Sequence, residues 1–361
     1  MARPKKGDAP TKSKDILDNL IADVLKQSRR LSDTKDDYKI LEYFDTGSVM
    51  LNMLITGDFY KGIPDNRAFQ AVGDPSSSKS YITKQAMKSA ISQGWKIIYI
   101  DTEGDVEISE YERAGLDTSK IIIVEDIHST KALNHKLLNI IEVADKNSKL
   151  MIVIDSIGNL ASEKEVKDTL NGDIKQDMTR AKDLKGFFRM ILNRAFRKRI
   201  PMLLINHQYD SQGLFAQRIV GGGKGSQFAA SFIIEFWKKT IKDGDKIQGI
   251  EVTATNKKNR FAKEGFKVKF VIDYDRGLLR YSGLYEALVD NNIATKKNRG
   301  SLGAHMVVGE DEYRIKDLTD KMWEEIIQKH NLNEKLGQIY KYQQKKDEPE
   351  LEEEIIEEIK E

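Results

Sequence analysis

Four apolar runs of strand length, set among segments of helical periodicity, constrain this chain more than any other feature. The runs are Lys96 to Asp101 (KIIYID), Lys120 to Val124 (KIIIV), Lys149 to Asp155 (KLMIVID) and Pro201 to Asn206 (PMLLIN). Between most of them lie Lys79 to Gln93, Thr130 to Lys146 and Asp177 to Arg199, whose apolar residues recur at helical spacing. Buried strands alternating with amphipathic helices specify a mainly parallel sheet with helices on both faces. After residue 229 the pattern changes. Ser231 to Lys239, Gly249 to Thr255 and Phe266 to Ile272 follow without long helices between them, as expected of an antiparallel extension of that sheet. From Tyr281 on a smaller helical piece is expected, Gly283 to Asn291 and then Ile315 to Tyr342.

An earlier short strand, Arg67 to Val72, leads into Gly73, Asp74, Pro75, Ser76, Ser77, Ser78, Lys79 and Ser80, where a helix opens. Strand, small-residue loop and helix N-terminus are the parts of a phosphate cradle, because loop amides and the helix dipole both attract an anion. Lys79 would reach the β and γ phosphates and the Ser80 hydroxyl would ligate Mg²⁺. The pattern is G-x-x-x-x-S-K-S, with Ser78 where a second glycine normally stands. By itself this segment fits a chance serine-rich loop equally well, and context has to decide.

The context lies at the strand ends, where parallel sheets bind ligands. The run Lys149 to Asp155 closes on Asp155-Ser156, the form of a Walker B strand whose carboxylate binds Mg²⁺. Asp101-Thr102-Glu103 closes an earlier strand. Glu103 is the candidate carboxylate for polarising an attacking water, its alternative being a surface cap for the next helix. Asn206-His207-Gln208 ends the PMLLIN strand, and a polar side chain there can sense the γ-phosphate; a lone histidine is more often structural. Two polar segments follow these strands. Gln208 to Gln227 carries five glycines, and Glu163 to Thr179 (EKEVKDTLNGDIKQDMT) is charged throughout. Both read as mobile loops on the nucleotide side, since long structureless connections usually serve a function.

Composition sets the outer bounds. The 361 residues suffice for one large α/β domain with additions, and 39% of them are hydrophobic. With no cysteine there is no disulfide and no thiolate ligand or nucleophile. No apolar run has transmembrane length and the start, MARPKKGDAPTKSK, lacks a signal-peptide core, so a soluble intracellular protein is expected. The formal net charge of +2 hides a split: Asp347 to Glu361 carries nine acids and one lysine, leaving +10 on residues 1–346. A basic body with an acidic tail suits a polyanion binder whose tail competes for the site; a solubilising tail fits the charge as well. Ile16, Leu17, Leu20, Ile21, Val24 and Leu25 give Ser13 to Leu31 an amphipathic helix without a local partner.

Taken together, Thr46-Gly47-Ser48, the phosphate loop, IDTE, VIDSIGNL, LLINH and VGGGKG, in that order, resemble the RecA-type DNA strand-exchange recombinases. IDSIGNLAS (Ile154 to Ser162), DMTRAK (Asp177 to Lys182), IKDG with QG (Ile241 to Gly249) and YSGL (Tyr281 to Leu284) are similar to the phage UvsX-like branch. The resemblance spans roughly Asp45 to Asp290. It implies a RecA-like P-loop ATPase core over residues 41–290, preceded by a leader and oligomerisation arm (1–40). A small C-terminal helical region (291–346) and an acidic tail (347–361) would follow. It implies ATP and Mg²⁺ as cofactors, with Lys79, Ser80, Asp155 and Glu103 in the roles given above. His207, where bacterial RecA has glutamine, would couple the γ-phosphate to DNA. Lys258 and Arg260 would reach across to the neighbouring subunit's ATP, and Tyr111 would stack on adenine. Glu163 to Thr179 would be the first DNA-binding loop, with Lys164, Lys167 and Lys175. Gln208 to Gln227 would be the second, with Phe215, Arg218, Gly222, Gly223 and Lys224. Phosphate contact would dominate over stacking there, making binding salt-sensitive.

The function implied is an ATP-dependent DNA recombinase. It would form filaments on single-stranded DNA and exchange strands with homologous duplex, in recombination, repair and recombination-dependent replication. A single-strand-binding protein and a recombination mediator would be its further partners. It would work in the cytoplasm, of a bacterial host if phage-encoded. Two other readings use the same residues: a hexameric helicase of the same fold, and a non-catalytic DNA-binding mediator in which Ser78 marks a decayed site.

Overall fold

The computed structural model describes residues 39–146, 148–171, 179–210, 218–220, 227 and 230–342. Contacts divide the chain into two units, Met1–Leu41 and Glu42–Glu361. The expected arm helix, Ser13 to Leu31, and the acidic tail lie outside the described residues, as do Lys175, Phe215, Gly222, Gly223 and Lys224.

In chain order the second unit begins with β1 (Tyr43–Phe44), α1 (Val49–Thr56), β2 (Ile63–Pro64) and β3 (Ala68–Gly73). Next come α2 (Lys79–Ser92), β4 (Lys96–Asp101), α3 (Ile108–Arg113), β5 (Ile121–Val124), α4 (Thr130–Val143) and β6 (Leu150–Asp155). Then follow α5 (Glu163–Leu170), α6 (Thr179–Arg197), β7 (Met202–Asp210), β8 (Arg218–Val220), β9 (Phe232–Asp243) and β10 (Lys246–Asn259). The chain continues through β11 (Lys267–Asp273), β12 (Gly277–Leu279), α7 (Leu284–Asp290), β13 (Thr295–Asn298), β14 (Ala304–Val308) and β15 (Asp311–Arg314). It closes with α8 (Asp320–Lys329) and α9 (Leu332–Tyr340).

The central sheet has the order β12-β11-β10-β9-β3-β7-β6-β4-β5, with β8 on β7. From β9 through β5 the strands are parallel. Strands β10, β11 and β12 add to β9 in antiparallel fashion. This is the expected α/β architecture with its antiparallel extension. Strand alternation divides the core in two. Ile97, Tyr99, Met151 and Val153 face α1 and α2, whereas Ile98, Ile100, Ile152 and Ile154 face α4 and α6 through Leu137, Phe187 and Ile191. Successive strand residues point to opposite faces, so an unbroken apolar run is what a sheet covered on both sides requires.

Two expectations are corrected. Glu163 to Leu170 is a helix, α5, rather than part of a loop. Ser162 Oγ accepts from Glu165 N at 3.0 Å and Glu165 Oε2 accepts from Ser162 N at 3.3 Å, a capping box that starts the helix despite its charge. The C-terminal region is not only helical. Strands β13, β14 and β15 form an antiparallel sheet before α8 and α9. Gly309, at φ +62°, makes the turn between β14 and β15. Met306, Val308, Trp323 and Ile326 join the same apolar core as α1 and β3, so this piece packs on the sheet's body.

Candidate active site at the carboxyl ends of the strands

Strand β3 ends on Gly73 because nothing larger fits: a Cβ there would lie 2.5 Å from the Phe236 carbonyl oxygen of β9. The loop then turns through two left-handed serines, Ser76 at φ +58° and Ser78 at φ +74°. Ser78 takes the conformation that favours glycine, at a cost of about 1–2 kcal/mol for a residue with a Cβ. Its side chain makes no cap hydrogen bond to α2. The turn delivers Lys79 into the loop. Lys79 is only 3% exposed, and its Nζ donates to the carbonyls of Gly73 at 3.0 Å and Asp74 at 2.7 Å. Burial pulls its pKa down to about 8, against the opposing pull of Asp155, Glu103 and Asp74. An ammonium encircled by loop backbone is placed for an anion with more charge than two carbonyls carry.

Three neighbouring strands contribute the rest. Register places Gly73 beside His207, and Asp101 beside Asp155. Asp155 is buried; its Oδ2 accepts from Tyr99 OH at 2.8 Å and from Ser80 Oγ at 3.1 Å. Its Oδ1 is buried with no hydrogen-bond partner. Burial raises the Asp155 pKa, with the Tyr99 and Ser80 hydrogen bonds opposing. Asp101 accepts from the amides of Glu103 and Gly104, at 2.9 and 2.8 Å, and so fixes the turn after β4. Glu103 Oε1 meets His207 Nε2 at 2.7 Å and Asn159 Nδ2 at 3.3 Å. The His207 contact holds the Glu103 carboxyl below its ordinary range. Tyr99 and Asn159 were missed in the sequence, because a tyrosine inside an apolar run and an asparagine in a turn carry no motif.

Tyr111, the expected adenine contact, lies on α3. It is 5% exposed, edge-on to Tyr99, and Lys84 Nζ sits 4.5 Å from its ring centroid. Tyr111 also lines a cavity of about 330 Å³ with Val106, Ile108 and Ile121.

Lys258 and Arg260 stand at the other end of the sheet. Asn259 pairs with Phe232 of β9, and Phe232 pairs with Phe69 of β3. That is four residues before Gly73, or about 13 Å at the usual strand rise. The turn is firmly held. Asn259 Nδ2 donates to the carbonyls of Leu54 and Ile55 in the last turn of α1, at 3.2 and 2.9 Å. Its Oδ1 accepts from Phe261 N and Ala262 N, at 2.7 and 3.0 Å. Phe261 stacks on Phe232 and carries Arg67 above its ring. Arg260 is exposed, and Lys258 Nζ donates to the Gln227 carbonyl at 2.9 Å.

Of the DNA-loop candidates, Lys164 and Lys167 are exposed on α5, and Arg218 opens β8 opposite Asp210. Lys167 lines a groove of about 680 Å³ with Lys131, Lys182, Lys185 and Arg189. The last three project from α6 at helical spacing, a basic stripe the sequence reading passed over in favour of the loops. Among the described residues no helix is long and apolar enough to cross a membrane.

Comparison with known proteins places the chain in a family. The family described as "RecA N-terminal domain" matches residues 23–279. The "Recombination and repair protein" of Enterobacteria phage T4 is 30% identical over 278 residues, covering 76% of this chain and 70% of that protein. "Protein RecA" of an Arthrobacter species is 26% identical over 295 residues, covering 80% of this chain and 81% of that protein. A crystal structure of the RadB recombinase is 20% identical with a TM-score of 0.47, over 66% of this chain and 100% of that one. On the extent of the family match and the identity to the phage protein, the chain belongs to the RecA family.

Proposed function

We infer that this chain is an ATP-dependent DNA recombinase, a DNA-dependent ATPase that assembles on single-stranded DNA and pairs it with homologous duplex. Family membership and the likeness to the phage T4 recombination and repair protein support the activity. The observation that carries the mechanism is the separation of the chemistry: Lys79, Ser80, Asp155, Glu103 and His207 gather at one end of the sheet, Lys258 and Arg260 at the other.

In this reading Lys79 and the amides of Gly73 to Ser78 hold the phosphates. Ser80 and Asp155 suit a divalent cation, since both offer hard oxygen donors and Asp155 Oδ1 is buried without a partner. Among the described residues no group of three or more His, Asp or Glu side chains could hold a metal. That fits Mg²⁺ arriving on the nucleotide, where it would neutralise phosphate charge. Glu103, held ionised by His207, takes the proton of the attacking water. His207 touches both the base and the strand leading toward Gln208 to Gln227, so loss of the γ-phosphate is felt there. Lys258 and Arg260 cannot reach their own cradle and serve the triphosphate of an adjacent copy. The active site is then complete only between subunits, which ties hydrolysis to a filament. Lys164, Lys167, Lys175, Arg218 and Lys224 hold DNA by its phosphates, with Phe215, Gly222 and Gly223 in the same segments. Residues 1–40 form the arm that joins neighbouring copies.

The test is phosphate release with and without single-stranded DNA, together with electron microscopy of the mixture. Strong stimulation by DNA and open helical filaments are expected. A protein that stays monomeric with ATP and oligonucleotide, and turns over at the same rate in both conditions, would sink the reading.

A further inference from the structure

A buried carboxylate links the strand of His207 to the strand of Lys258. Glu235 of β9 is 7% exposed. One oxygen accepts from Gln208 Nε2 at 2.8 Å, and the other pairs with Lys257 Nζ at 2.8 Å. Gln208 directly follows His207, whose ring contacts Glu103. Lys257 directly precedes Lys258 and is the extra residue of a β-bulge, because Asn256 pairs with Ile234 while Lys258 pairs with Ile233. Bulges bend a strand and re-aim the side chains beyond them. The Glu235 contact therefore fixes the bend from which Lys258 and Arg260 leave the sheet.

The chemistry argues against a purely structural pair. A buried ion pair is usually no more stabilising than apolar residues of the same volume, and β9 is otherwise apolar here, with Ile233, Ile234 and Phe236 as neighbours. Lys257 is about half exposed, with 51% of its side-chain surface accessible, so its own burial gains little. The buried charge of this strand sits on a residue that contacts both β7 and the bulge.

We propose that Glu235 is a positioning residue for hydrolysis in the adjacent copy: through the Lys257 bulge it aims Lys258 and Arg260 at the neighbour's triphosphate. The proposal rests on the reading that those two cations act between subunits. It adds the residue that orients them, and it makes the aim depend on Gln208, next to this copy's own phosphate-facing histidine.

Two variants test it, Glu235→Gln, which keeps the shape but turns one acceptor oxygen into a donor and removes the charge, and Lys257→Met, a change at a half-exposed site that does not threaten the fold. Each is assembled on single-stranded DNA with ATP, alone and with an excess of Glu103→Gln protein, whose small residual turnover is subtracted and which retains Lys258 and Arg260. Alone, each variant is expected to lose about 10- to 100-fold in turnover, the effect of a misplaced catalytic group. In the mixture, turnover per variant subunit returns to the wild-type value, because intact neighbours supply the cations. Normal turnover of both variants alone, or absence of rescue in the mixture, would overturn the proposal. The Lys258→Ala, Arg260→Ala double variant is run in parallel. If it too is not rescued, the between-subunit reading itself fails. If it is rescued and Glu235→Gln is not, only the role of Glu235 falls.

Discussion

The two ends of the central sheet are built in opposite ways. At the carboxyl ends of the parallel strands the polar groups point inward from loops. Two left-handed serines and a lysine folded onto loop carbonyls hold an arrangement that an anion would improve. At the amino ends, the Lys258-Asn259-Arg260 turn is anchored by four hydrogen bonds through the Asn259 side chain. Arg260 is exposed there, and Lys258 donates to the Gln227 carbonyl. In the proposed function the first end receives the phosphates and the second serves an adjacent copy. The difference is what supports the proposal that catalysis is divided between neighbouring copies rather than held within one.

That contrast can be broken in several places. The largest effect is expected from Lys79→Ala, which should reduce ATP turnover about 10³-fold and abolish nucleotide binding by the isolated subunit in a calorimetric titration. Lys258→Ala should leave that binding intact, and equal binding losses in the two variants would erase the distinction between the ends. Glu103→Gln should retain binding and lose about 10²- to 10³-fold in turnover. The carboxyl of Glu103 sits below its ordinary value because of His207. Removing that contact in His207→Ala raises the pKa, so the acid limb of the kcat profile should move to higher pH; a limb that stays put would assign it to another group. Asn259→Ala should lower stability by about 2–3 kcal/mol, since it removes the side-chain donor to the Ile55 carbonyl and the acceptor of two amides, while Leu54 keeps Asn256 Nδ2. Denaturant unfolding reads this, and an unchanged midpoint would mean the amino-end turn is not rigidly held. Smallest is Ser78→Gly. Relief of the left-handed serine, partly offset by glycine's larger unfolded entropy, should stabilise by less than about 1 kcal/mol. A lower melting temperature in this variant would show that the serine Cβ is not strained.

Much of the site was legible because its parts are short and contiguous. Gly73 to Ser80 carries its own strand, turn and helix start, and Asp155 and Glu103 each close an apolar run whose burial follows from its composition. The capping box at Ser162 and Glu165 was present too, but charge density over Glu163 to Thr179 drew the reading toward a loop. The hairpin of β14 and β15 was hidden by polar residues on a small sheet that is covered on one side only. The surroundings of Tyr111 were not legible for a different reason. Residue spacing counts positions along a helix, whereas the ring's burial depends on where α3 sits against β4.

The order of strands and helices, the phosphate loop and the basic turn were set by the local pattern of the chain, because apolar periodicity and turn residues act over a few positions. Which residues meet was not. The contacts of Tyr99 with Asp155, Glu103 with His207 and Glu235 with Lys257 join positions 56, 104 and 22 residues apart. Only strand order and register bring them together, and register is a property of the packed sheet rather than of any one segment.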